Sequence, residues 1–69
     1  MLKKRSFTLS GHRTSVALEA EFWAELEACA KSAGTSLSAF VARIDRERGT
    51  QPLASALRLT ALAAAKTRD

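Results

Sequence analysis

A chain of 69 residues makes one domain, and a domain this small buries only about 60% of its extended surface, so it needs a staple or a partner. One cysteine, Cys29, excludes an internal disulfide, and with a single histidine, His12, it excludes a four-ligand zinc site within one chain, which leaves oligomerisation, most simply as a symmetric dimer. The net charge of +4, from 11 basic and 7 acidic residues, favours polyanionic partners.

The first twelve residues read as a basic arm carrying Lys3, Lys4 and Arg5. Such a triplet can open a signal peptide, but the following SFTLSGHRTS is too polar for an apolar export core. Nowhere does an uncharged apolar run approach the roughly 18 residues that span a membrane. A cytoplasmic protein with no membrane partner is expected, and a lone thiol suits that reducing compartment.

Residues 13–18, RTSVAL, alternate. Thr14, Val16 and Leu18 share one parity, and Arg13, Ser15 and Ala17 the other, which is the pattern of a strand with one apolar face. A lone strand must find a partner for its backbone groups. The candidates are the same strand of a second chain, antiparallel across a two-fold axis, or the upstream SFTL folded back through Ser10-Gly11 as a hairpin.

Three helices follow. The first is expected over 20–33, with Phe22, Leu26, Cys29, Ala30 and Ala33 at helical spacing and Trp23 beside them. Its acidic stretch, Glu19, Glu21, Glu25 and Glu27, suits the positive end of a helix dipole. Gly34 stands where a left-handed residue ends a helix. The second is expected over 36–48, capped by Ser36, with Leu37, Phe40, Val41 and Ile44 as an i, i+3, i+4, i+7 stripe. The third is expected over 53–66, after Pro52. It is apolar on two sides: Leu53, Leu57 and Ala61 form one stripe, and Leu59, Leu62 and Ala63 another. The second stripe could bind a partner protein or a second dimer.

The stretch from Arg13 to Arg48 resembles the ribbon-helix-helix fold of the MetJ/Arc superfamily. The residues that carry the likeness are RTSVAL for the strand, the Glu-x-Glu-Phe-Trp of the first helix, and GTSLSAFV for the turn and second helix. The string GHRTSVALEAEFW and the later SALR are similar to a small stand-alone bacterial family of that superfamily, whose likeness extends over nearly the whole chain. The resemblance implies a mostly helical single domain and an obligate homodimer. One N-terminal strand from each chain forms a ribbon, followed by two helices and here an additional C-terminal helix.

It also implies a sequence-specific double-stranded DNA-binding protein, a transcriptional regulator or repressor rather than an enzyme, with no cofactor. Arg13, Ser15 and Ala17 would face base edges in the major groove. Ser36 and Ser38, at the start of the second helix, would meet phosphate, as would Lys3, Lys4 and Arg5 on their arm. Two departures remove contacts: the third outward strand residue is Ala17, and Leu37 stands where many members carry Lys or Arg. Both leave room for the alternative that the third helix binds a partner protein.

Overall fold

The computed structural model describes residues 1–67. Two strands, β1 (Leu2–Leu9) and β2 (His12–Glu19), are followed by α1 (Ala20–Ser32), α2 (Leu37–Glu47) and α3 (Leu53–Thr67). The architecture is ribbon-helix-helix with an additional C-terminal helix.

The ribbon departs from expectation in its origin. β2 pairs antiparallel with β1 of its own chain, from Leu2 opposite Glu19 to Leu9 opposite His12. The pairing expected with a second copy is thus made by the upstream segment, and the stretch read as a basic arm is a strand. The cause is local. Only Ser10 and Gly11 lie between the strands, and both take positive φ, at 52° and 81°, the sign a type I′ hairpin requires. Closing so short a loop costs little chain entropy. Phe7 and Leu9 then fall on the same side as Val16 and Leu18, and all four are buried.

α1 stops as its sequence predicts. Gly34 has φ +71°, the Gly34 amide donates to the Lys31 carbonyl and the Thr35 amide donates to the Ala30 carbonyl, both at 3.0 Å. These are the two bonds of a Schellman cap. α2 begins at a true cap, with the Ser36 Oγ accepting from the Ala39 amide at 3.1 Å. Between α2 and α3, the Arg48 guanidinium donates to Asp45 Oδ1 at 2.7 Å and to the Gln51 carbonyl at 2.8 Å, which closes the turn.

The helices cover one face of the hairpin. The core joins Phe7, Leu9, Val16 and Leu18 of the ribbon to Trp23, Leu26 and Ala30 of α1, Phe40, Val41 and Ile44 of α2, and Ala56, Leu57 and Ala61 of α3. By adding β1, a single chain acquires a core that one strand would leave open. On α3 the two stripes separate: Leu57 and Ala61 are buried, whereas Leu59 and Leu62 are 54% and 48% exposed.

Trp23 ties α1 to β1. Its Nε1–H donates to the Lys3 carbonyl at 2.8 Å, and its ring lies 5.9 Å from that of Phe7. The acidic stretch at the start of α1 does more than oppose a dipole. Glu27 accepts from Arg5 of β1 at 2.6 Å, and Glu19 accepts from Arg58 of α3 at 3.0 Å. Arg58 also lies 5.7 Å above the Phe22 ring, which seats α3 against the end of β2.

Candidate functional site

Alternation along a strand and pairing across it determine what the ribbon presents on the side away from the helices. Three cross-strand pairs form the middle of that face: Lys4 with Ala17, Ser6 with Ser15, and Thr8 with Arg13. Lys4, Ser6, Thr8, Arg13 and Ser15 are all exposed. Ser6 Oγ and Ser15 Oγ are 3.0 Å apart at the centre. Arg13 Nη1 reaches across to Thr8 Oγ1 at 3.4 Å, a long contact that holds the guanidinium over the ribbon. The face is therefore short and polar in the middle, with one positive charge near each end and on opposite strands. Along the strand Lys4 and Arg13 are separated by four residue steps, or about 14 Å.

Arg13, Ser15 and Ala17 thus share one face. Of the three basic residues near the N-terminus, Lys4 joins them. Lys3 and Arg5 have the opposite parity and lie on the helix-facing side. The Arg5 guanidinium is engaged there, paired with Glu27 and 5.2 Å above the Trp23 ring. It is a rim residue whose charge stays in contact with water, with 42% of its side chain exposed.

Ser36 and Ser38 are exposed at the start of α2. The first bond of that helix runs from the Phe40 amide to the Ser36 carbonyl at 3.0 Å, and Ser36 Oγ takes the Ala39 amide. The amides of Leu37 and Ser38 precede both bonds, so they form the positive end of the helix dipole.

Sequence reasoning missed Ser6 and Thr8. The signal that could have found them is Phe7 and Leu9, which alternate with them and are separated from β2 by a two-residue turn. His12 is exposed at the start of β2, opposite Leu9. Cys29 packs partly buried against the core.

A family model described as a ribbon-helix-helix domain matches residues 2–65. The chain belongs to the ribbon-helix-helix family. Domains of this family are in general DNA-binding regulatory modules, typically non-enzymatic, and they generally bind DNA as dimers. No curated protein and no solved structure matches the chain. The match takes in both strands and nearly all of α3, so the hairpin and the third helix lie within the ribbon-helix-helix unit. No described helix of this ribbon-helix-helix protein is long and apolar enough to cross a membrane.

Proposed function

We propose that this ribbon-helix-helix protein is a sequence-specific regulator of transcription, of the repressor type, that acts in the cytoplasm as a homodimer and inserts its β-ribbon into the DNA major groove. The observation that carries the reading is the division of β2. Val16 and Leu18 are 6% and 0% exposed, while Arg13 and Ser15 point away from the core. A two-stranded ribbon fits the major groove, where an arginine can pair bidentately with guanine and a serine can donate or accept. Ala17 offers only a methyl group, suited to contact with a thymine methyl.

Phosphates are met at two places in this reading. The amides and hydroxyls of Ser36 and Ser38 clamp one phosphate at the start of α2. Lys4, at one end of the ribbon, meets the groove wall, and Lys3 and Arg5 add positive potential beside it. The test is a titration of mixed-sequence duplex DNA between about 50 and 200 mM salt, in which log affinity falls linearly with log salt because counterions are released. Absence of any salt-sensitive affinity for duplex DNA would remove the reading.

A second reading has its own observation. Leu59 and Leu62 lie exposed on α3 and offer an apolar stripe to a partner protein or a second dimer. A Leu59→Glu variant separates the two: it leaves DNA affinity intact and abolishes only the association made through α3.

A further inference from the structure

We infer that Glu27 is a brake on the sequence-independent part of DNA binding, because it withholds the Arg5 guanidinium from the phosphates. The inference rests on the DNA-binding reading above and gives Glu27 a part in it, as a positioning residue that acts through Arg5.

Arg5 differs from the other basic residues of the ribbon. Among the described residues Lys3, Lys4 and Arg13 have no acidic partner within ion-pair distance, whereas Arg5 Nη1 lies 2.6 Å from Glu27 Oε2. The same guanidinium lies 5.2 Å from the centre of the Trp23 ring. A carboxylate and an aromatic face together hold this cation in one place.

That place adjoins the proposed phosphate contact of Lys4. Arg5 is the next residue along β1, with its Cα about 3.8 Å further on. An arginine side chain is longer than that step. Its parity turns Arg5 towards the helices, but it stands at the rim with 42% of its side chain exposed, so nothing encloses the guanidinium. Released from Glu27, it can swing to the same groove wall.

The pair does little for the fold. With Glu27 52% exposed as well, an ion pair so open adds little stability. On DNA its effect is larger. A contact to phosphate carries no sequence information and strengthens binding to every duplex. In a chain whose net charge is already +4, one more such contact raises the hold on random DNA as much as the hold on a preferred site. Glu27 removes that contact and sets a negative charge beside the wall, while the base-facing residues are untouched.

The experiment is titration of a mixed-sequence duplex between about 50 and 200 mM salt. The proteins are the wild type, Glu27→Gln, Glu21→Gln, Arg5→Gln and the double variant Arg5→Gln/Glu27→Gln. Far-UV circular dichroism and thermal unfolding establish that each is folded. Arg5→Met, which keeps an apolar cover on Trp23, replaces Arg5→Gln if the latter unfolds. Glu27→Gln should bind more tightly and steepen the slope of log affinity against log salt by about 0.9 for each chain. Its advantage over wild type should then shrink by about threefold to fourfold per chain across that salt range. Glu21→Gln removes an equal charge from an exposed site in the first turn of α1 and should leave the slope nearly unchanged. Arg5→Gln should barely alter the slope in wild type but erase the whole gain in the Glu27→Gln background, a dependence that a merely structural ion pair would not show. The inference is overturned if Glu27→Gln and Glu21→Gln change the slope alike. It is equally overturned if Arg5→Gln alone lowers the wild-type slope by a full phosphate's share, because Arg5 then meets DNA despite Glu27. Both results leave DNA binding standing, whereas a wild-type protein with no salt-sensitive affinity for duplex DNA removes the underlying reading and this inference with it.

Discussion

The Trp23 indole donates its Nε1–H to the Lys3 carbonyl at 2.8 Å, and this bond ties the first strand to the first helix beside the Arg5–Glu27 ion pair. Trp23 is 2% exposed, so the indole N–H has no water to fall back on. Trp23→Phe keeps the ring against Phe7 but removes the donor and leaves the carbonyl to find another. It should lower stability by about 1–3 kcal/mol in urea unfolding, the cost of a buried hydrogen bond broken from one side. An unchanged midpoint would mean that pairing with β2, the Arg5–Glu27 ion pair and packing on Phe7 hold the strand without this bond.

The parity of β2 gives a paired test. Val16 is 6% exposed and Ser15 points outward. Val16→Asp places an uncompensated charge in the core and should abolish cooperative thermal unfolding. Ser15→Ala should shift stability by no more than about 0.5 kcal/mol, as surface changes do. The reverse pattern would exchange the two faces of the ribbon.

Association is tested by mass. Equilibrium sedimentation at micromolar concentration should give twice the chain mass of 7.4 kDa. A folded species that stays at the single-chain mass would rule out the homodimer.

Arg13 and Lys4 should fail differently on DNA. If Arg13 reads a base edge as proposed, Arg13→Ala should cost about 1–3 kcal/mol on the preferred site while relaxing sequence preference. Lys4→Ala should weaken every sequence alike and reduce the slope of log affinity against log salt by about 0.9 for each chain of the dimer, one phosphate's share per lysine. Equal effects of the two on preference would contradict these roles.

The ion pair between Glu19 and Arg58 makes stability respond to acid. The Glu19 carboxyl titrates below the usual carboxylate range, through a hydrogen bond with its own backbone first and with the Arg58 guanidinium second. A lowered folded value means that the contribution is present above the unfolded carboxylate pKa, about 4.3, and is lost as pH falls through the folded value. Thermal midpoints measured from pH 6 to about pH 3 should therefore decline less in Glu19→Gln than in wild type. Parallel curves would show that Arg58 holds α3 through its stacking on Phe22 alone.

Much of this arrangement is legible in the sequence because local signals agree. Gly34 and Ser36 bracket the α1–α2 turn, the stripe from Leu37 to Ile44 sets the buried side of α2, and the alternation from Arg13 to Leu18 sorts the two faces of β2. The first strand is harder to read. Lys3 and Arg5 occupy positions whose parity matches the apolar face, so only Phe7 and Leu9 keep the alternation. Arg5 is tolerated there because its guanidinium lies over the Trp23 ring and pairs with Glu27 at the rim. The turn also lacks the usual asparagine or aspartate, since Ser10 takes the first positive-φ position. Without β1, Ser6 and Thr8 look like polar residues of an arm.

The two-residue link at Ser10 and Gly11 also governs how the protein responds to dilution. Strands supplied by two chains zip together by a bimolecular step, so their β-structure fades as the solution is thinned. A hairpin closes within one molecule, in about 1–10 μs for an isolated ribbon. Its two strands stay tethered at any dilution, so the chain-entropy cost of bringing them together does not depend on protein concentration.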